Sequence, residues 1–532
     1  MKEFVFKHDS VRVIQCAVKY SSPEQKRLIA KELQGEYQAL AESKYAKFLI
    51  AKLVVGDNQI RDIVVPEFYG HVRRLIRHPE ASWIVDDIYR TIATKEQKAK
   101  MLREWYGPEF VIFKPEKGTA VQAELSEILE ESPEKRGPIM HHLKDMTNQL
   151  VQKKTTAYTM LHDALLQYFL NCKPGSSEAT EFWEMLKDDE EGDCYKNLAF
   201  TKSGARLVCL ALACGNSKDR RTILKFFKTH MKVLAADVNG HLVLLAAYDL
   251  IDDTVMSSKA IFPELLSKDM EATARNDELF GMSEHLVGRI PLLYLMNTEN
   301  QQPKWLLHVD DAKILNEIHE VRKTTSKKDA DVRRTELLRT MSQPLLDLIA
   351  GRPADLLKSS FGCQFLAEVL LGGIGEKQEA LRAVAGLSHM GGDAETHAAL
   401  QTPHAGRLLK TLVQGGRFDR ASKSVVLVEP QLHFGDMLYE NLIEGMGTAG
   451  VLQWALGANS WVIVALLESP EFENLDGLVQ TLRYDKERLL EGADNLGTRT
   501  VLEIMAKLSL KKKSGAKKED GGKKGEEVKE GR

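Results

Sequence analysis

Residues 8–19 read HDSVRVIQCAVK. Val13, Ile14, Cys16, Ala17 and Val18 fall at helical spacing and predict an apolar stripe. Arg12 and Gln15 stand three apart, which puts them on one helix face. A planar guanidinium beside an amide suits stacking on a nucleobase and hydrogen bonding to its edge. Taken alone, the segment is equally an ordinary amphipathic helix with a solvated arginine. Its recurrence along the chain gives it weight.

Working outward from Ser10, similar segments follow at Ala46 (YAKFLIAKLV), Ala81 (EASWIVDDIY), Ala157 (TAYTMLHDALL), Gly204 (SGARLVCLAL), Gly240 (NGHLVLLAAY) and Gly288 (VGRIPLLYLM). They continue at Gly362 (FGCQFLAEVL), Ala405 (HAGRLLKTLV), Asn459 (ANSWVIVALL) and Gly497 (LGTRTVLEIM). These eleven anchors are spaced 36, 35, 76, 47, 36, 48, 74, 43, 54 and 38 residues apart. Each small anchor precedes a helix that is apolar on one side, and another helical segment lies between anchors, as in Pro23–Leu33. Helix pairs of about 36 residues stacked side by side form an α-solenoid. The expected fold is therefore all-α, a solenoid of about eleven helical repeats, bent or divided into two subdomains at the long spacings.

The phrases FVFKHDSVRVIQCAVKYSS, LIRHPEASWIVDDIY, YTMLHDALLQYF and VGRIPLLYLMNTEN resemble the divergent pumilio-like family of the Puf-A or penguin type. SVRVIQ resembles the RNA-reading helix of a pumilio repeat, and GRIPLLYLM the family's C-terminal CPL segment. The resemblance runs over about residues 3–508. It implies an RNA-binding protein of the nucleus and nucleolus, acting in assembly of the large ribosomal subunit and rRNA processing beside pre-ribosomal proteins. No cofactor, metal or membrane is implied, and a monomer is expected.

Turn-rich WYGPEF, KPEKG and SPEKRGP mark an insertion at about 105–137, so residues 1–137 are read as N-terminal repeats carrying it. Residues 138–268 are read as central repeats and 269–508 as C-terminal repeats with the CPL-type segment. The charged stretch 301–335 is free to project from the array. From Lys511 the apolar residues are Ala516 and Val528 alone, and a disordered Lys-rich tail, 509–532, is expected. The first residues read as the end of a helix pair, with a repeat half expected upstream.

Net charge is −3, unevenly distributed. Residues 511–532 hold nine Lys/Arg against five Asp/Glu, and residues 1–114 hold 20 against 15. Acid gathers in KDDEEGD at 187–193. The basic N-terminal repeats are the natural phosphate surface. No run of 18 apolar residues offers a membrane span. The six cysteines form no CxxC pair; Cys16 and Cys209 sit in apolar stripes, and buried reduced thiols are expected.

In pumilio-like repeats the resemblance implies three residues facing the nucleic acid: the one after the anchor, the next, and one three further on. The first and third read the base edge and the second stacks. The first repeat gives Val11, Arg12 and Gln15; the second Lys47, Phe48 and Ala51; the third Ser82, Trp83 and Asp86. Later repeats give Arg206 beside Ala205 and Cys209, His241 with Leu242 and Leu245, and Gln364 with Cys363 and Ala367. The last three give Arg407 with Lys410, Trp461 with Ser460 and Val464, and Arg499 with Thr498 and Leu502. Most edge positions are apolar and cannot pair with a base. What remains is cations and aromatics, which bind phosphates and π-faces whatever the sequence. With Lys19 and the cluster Arg73, Arg74 and Arg77, these residues form the candidate RNA surface, for structured or single-stranded RNA and for DNA as well. Phe48, Trp83 and Trp461 are equally suited to packing between repeats.

No nucleophile, P-loop or metal motif is present. Gly445, Gly447 and Gly450 match GxGxxG, but the preceding MLYENLIE reads as helix where a dinucleotide site needs a strand. Two alternatives stay open: an armadillo- or HEAT-like protein scaffold, and a sequence-specific repressor of mRNA translation.

Overall fold

Thr201, Ser359 and Thr402 each stand three residues before a small anchor, and each side chain accepts the anchor's backbone N–H, on Gly204, Gly362 and Ala405. Hydroxyl capping of this kind satisfies a donor that the first helical turn leaves unpaired. The anchors are small for a second reason. A Cβ on Gly204 would lie 2.2 Å from the carbonyl oxygen of Leu198, and one on Gly362 would lie 2.0 Å from that of Leu356. The preceding short helix crosses that close.

The computed structural model describes residues 2–112, 121–173, 175–389, 394–419 and 422–522, with side chains to 510. Repeats are built from a short first helix, a middle helix and a third, as in Tyr37–Glu42, Lys47–Val54 and Asn58–Val64. The middle helices are α1 (His8–Tyr20), α2 (Lys47–Val54), α3 (Ala81–Thr91), α4 (Thr159–Leu170), α5 (Lys202–Cys214) and α6 (His241–Leu250). They continue as α7 (Arg289–Leu293), α8 (Ser360–Gly372), α9 (Pro403–Val413), α10 (Ser460–Glu468) and α11 (Leu496–Gly522). Every one of the eleven anchors lies within two residues of the start of one of these helices. The expected all-α solenoid is the observed fold.

The chain divides into two compact units. One holds Met1–Lys228, Asp237–Ile251 and Lys313–Ser326; the other holds Thr229–Ala236, Asp252–Ala312 and Lys327–Arg532. In the first unit α1 to α6 pack in sequence, each on the next, like rungs. In the second unit α7 to α11 do the same. The core runs between the rungs and their flanking helices, for example Leu49, Ile50, Ile84, Val85, Leu165 and Val208, all buried.

A carboxylate device recurs one repeat apart. Glu67 accepts the backbone N–H groups of Gly35 and Tyr37, at 2.7 and 3.0 Å. Glu104 accepts those of Gly70 and Val72, at 2.6 and 3.0 Å. Each fixes the start of its repeat's first helix from the third. Gly35 and Gly70 both take positive φ, 92° and 87°, a backbone conformation open to glycine.

Several expectations are corrected. In α1 the buried residues are Val11 and Val18, while Val13, Cys16 and Ala17 are exposed. The buried edge is thus displaced from the stripe that the sequence spacing gave. Cys16 is therefore not a buried thiol, and Cys214 is also exposed; the other four cysteines are buried. The charged stretch does not simply project: its helix Val309–Thr325 buries Ile314, Leu315 and Ile318. A two-stranded antiparallel hairpin, Gly416–Asp419 with Ser424–Leu427, interrupts the helices after α9. The backbone of α11 is helical to Gly522, beyond Lys511 where disorder was expected. Residues 523–532 of that tail, 113–120 of the insertion and 390–393 of the Gly-rich connector lie outside the described residues. As expected, the segment directly before the GxGxxG glycines is helical: they sit inside the stretch Phe434–Leu456, bent at Gly447.

Candidate nucleic-acid interface

The position directly after the anchor is buried in nine of the eleven rungs: Val11, Lys47, Ser82, Ala205, His241, Arg289, Cys363, Ser460 and Thr498. The next position is exposed or half-buried in nine rungs and buried at Leu242 and Ile290. Down the rungs it holds Arg12, Phe48, Trp83, Thr159, Arg206, Leu242, Ile290, Gln364, Arg407, Trp461 and Arg499. This outward column is cationic or aromatic at both ends of the rung series.

In the first unit, Arg12 is exposed and makes no ion pair among the described residues. Lys19, two turns on, is exposed with its Nζ 5.3 Å from the Tyr20 ring centre. Gln15 is engaged by the next rung: its Nε2 donates to the carbonyl of Tyr45 at 3.1 Å and Lys52 donates to its Oε1 at 3.5 Å. Phe48 is 46% exposed and its ring lies 5.6 Å from that of Trp83, tilted by 42°. Lys47 is inserted between them, 5.4 Å from the Phe48 centre and 5.1 Å from that of Trp83, with its Nζ 2.5 Å from Glu80 Oε2. The two rings thus serve both readings. They pack on Lys47, and the outer face of Phe48 stays open as a stacking surface.

The polar edge candidates of α3 are taken by its neighbour. Ser82 Oγ accepts the Tyr158 hydroxyl at 2.8 Å, and Asp86 accepts the Met160 N–H at 2.9 Å. Burial pushes the Asp86 carboxyl up to about 6. His241 is also off the surface, 2% exposed, with its Nδ1 3.1 Å from the Asp237 carbonyl oxygen.

Arg73, Arg74 and Arg77 are not on the rungs. They lie on and just after the short first helix Val72–Leu75. Arg74 pairs with Glu42 of Tyr37–Glu42 at 3.0 Å, and Arg77 donates to Gln149 of Arg136–Gln152 at 3.0 Å and to the Arg73 carbonyl at 2.8 Å. These arginines follow the row of first helices. Arg73 is half-buried, and burial and Arg77 both work against its charge.

In the second unit, Arg289 lies 3.7 Å over the Phe361 ring and donates to Gln364 at 2.7 Å, which closes the column there. The last three rungs are open. Arg407 and Arg499 are exposed, Trp461 is 38% exposed, and Lys410 Nζ sits 5.1 Å from the Trp461 ring centre. Each unit thus carries an aromatic platform flanked by cations at this position of its rungs, Phe48–Trp83 in the first and Trp461 in the second. The anchors and the resemblance to pumilio-like repeats pointed to them; the burial of the preceding position depends on how the rungs pack and leaves no mark in spacing.

The CPL (NUC119) domain matches residues 284–423, which include the GRIPLLYLM phrase. The chain is 32% identical over 507 residues to Pumilio homology domain family member 6 of Schizosaccharomyces pombe, covering 95% of this chain and 74% of that protein. It is 30% identical to human Pumilio homolog 3, covering 91% and 72%. The crystal structure of human Puf-A is similar at 29% identity with a TM-score of 0.74, covering 94% of this chain and 92% of that one. Human Puf-A in complex with DNA is similar at 27% identity and a TM-score of 0.76, covering 95% and 92%.

Proposed function

This chain belongs to the Puf-A-like branch of the pumilio-homology family, and from that premise we propose that it binds RNA, and DNA as well, with little preference for base sequence. The observation that carries the proposal is the contrast between neighbouring positions. The residue after each anchor is buried in nine rungs, while the outward column keeps exposed Arg12, Phe48, Arg407, Trp461 and Arg499. A code of one base per repeat needs paired polar readers at successive rungs. Here Ser82 and Asp86 are held by α4, and Gln15 by the second repeat. Guanidinium groups and aromatic faces bind phosphate and base planes without regard to sequence. The complex of human Puf-A with DNA supports nucleic-acid binding on this fold.

The same premise supports a place in the nucleus and nucleolus, as an assembly factor of the large ribosomal subunit that meets rRNA and pre-ribosomal proteins as a monomer. The test of binding is fluorescence anisotropy with several unrelated RNA sequences over a salt series. Similar affinities with a steep salt slope are expected. A strong preference for one short sequence would restore the base-code reading, and absence of binding at low salt would refute the proposal.

A second reading as a protein scaffold is favoured by one observation. A groove of about 650 Å³ lies between Arg136–Gln152 and Ser177–Lys187, walled by Val151, Phe182 and Met185. Its lining carries five carboxylates against two lysines, which suits a basic peptide. Recovery of the same proteins after nuclease treatment would support this reading.

A further inference from the structure

We infer that the helix Val309–Thr325 ends the nucleic-acid track of the first unit at α5, with Glu317 occupying Arg206 in place of a phosphate. The inference rests on the nucleic-acid reading above and adds a residue that limits how long a strand the first unit engages.

Arg206 holds the outward position of α5, the same position as Arg12 in α1. Its Nε lies 2.8 Å from Glu317 Oε2 and its Nη2 2.8 Å from Glu317 Oε1. This two-bond fork between guanidinium and carboxylate is the geometry with which arginine also grips a phosphate. The anion that Arg206 would take from a nucleic acid is thus supplied by the chain itself. Arg12 makes no such pair among the described residues.

The helix is seated beyond that one pair. Residues 313–326 belong to the first unit. Ile314, Leu315 and Ile318 are buried. His319 Nε2 lies 2.8 Å from Asp249 Oδ2 at the end of α6, and Arg220 donates to Thr325 Oγ1 at 3.2 Å. The next rung gives the track nothing to continue with, because the residue at the corresponding position, Leu242, is buried. A strand laid along the first unit therefore meets Arg12, Phe48, Trp83 and Thr159 and stops at Arg206. Glu317 is the residue that sets this end.

The experiment uses the full chain and single-stranded RNA of graded length and one base composition, in anisotropy titrations over a salt series. Three variants are compared with wild type: Glu317→Gln, the same change combined with Arg206→Ala, and Glu320→Gln. Glu320 is exposed and pairs with Lys323, so its change removes one negative charge without releasing Arg206. The expected result is that Glu317→Gln moves the length at which affinity levels off to a longer strand. Affinity for the longest RNA rises several-fold, and the salt slope steepens by about one. Adding Arg206→Ala cancels both gains, and Glu320→Gln produces neither. Equal gains in Glu320→Gln would mean that net charge alone is at work and overturn the inference. Binding by wild type that Glu317→Gln leaves unchanged in length dependence and slope would overturn it while leaving the nucleic-acid reading intact. Failure of wild type and all three variants to bind any RNA at low salt would remove that reading, and this inference with it.

Discussion

Asp86 on α3 accepts the backbone N–H of Met160 on α4 at 2.9 Å, so a carboxylate at a base-reading position caps the next rung instead. Removing such a cap costs about 0.5–2 kcal/mol. Asp86→Ala is expected to lower stability by that amount in urea unfolding and to leave RNA affinity unchanged. A loss of affinity at unchanged stability would return Asp86 to the binding surface.

Glu104 is 3% exposed, and burial pushes its carboxyl up to about 7 against the two N–H bonds and the nearby Arg73 charge that favour ionisation. An unfolded glutamate titrates near about 4.3. Between these values the folded protein binds more protons than the unfolded chain, so stability falls as pH rises from about 4 to about 7. Asp86, raised to about 6, acts in the same direction over a narrower window. Comparing urea midpoints at pH 5 and pH 8 should show the drop, and Glu104→Gln should flatten it. An equal slope in the variant would assign the effect to other groups.

Gly204 and Gly362 offer a stability test of the rung spacing. A methyl group there would lie 2.2 and 2.0 Å from a backbone carbonyl, so Gly204→Ala or Gly362→Ala must push the first helix away from its rung. A loss of about 1–3 kcal/mol is expected for each in urea unfolding. Gly281, inside Ala272–Glu284, has nothing within 4 Å of its would-be Cβ. Gly281→Ala should instead stabilise by up to about 1 kcal/mol.

The outward column predicts two kinds of binding defect. Arg12→Ala, Arg407→Ala and Arg499→Ala should each weaken all RNA sequences alike and reduce the salt slope by about one. Trp461→Ala should cost about 1–3 kcal/mol of affinity, with the slope nearly unchanged. Anisotropy over a salt series separates these outcomes. A sequence-dependent loss in the arginine variants would contradict phosphate binding.

The fold was legible because each repeat writes its own start, a small residue followed by an apolar helix; the capping hydroxyl three positions earlier, in TKSG, SSFG and TPHA, was not read in advance. The site was half legible. Arg12, Phe48, Trp83, Arg407, Trp461 and Arg499 came from the recurring anchors together with the positions that the resemblance to pumilio-like repeats implies. Lys47 and His241 read as surface residues because polar side chains usually are, yet Lys47 is 8% exposed between two rings and His241 is 2% exposed. The pairing of Arg206 with Glu317 spans 111 residues of sequence, and neither position marks the other.

The rungs carry one more consequence. Packed helices stand about 8–10 Å apart, whereas successive nucleotides in a stacked strand advance only about 3.4 Å. A strand that sets one base against each outward residue must be drawn out and unstacked, and a double helix cannot be stretched to match. Duplexes can meet these units only through their phosphates. The pitch of the scaffold, independent of any side chain, thus sets the manner of contact: a single strand is drawn out along the rungs, and a duplex offers its phosphates.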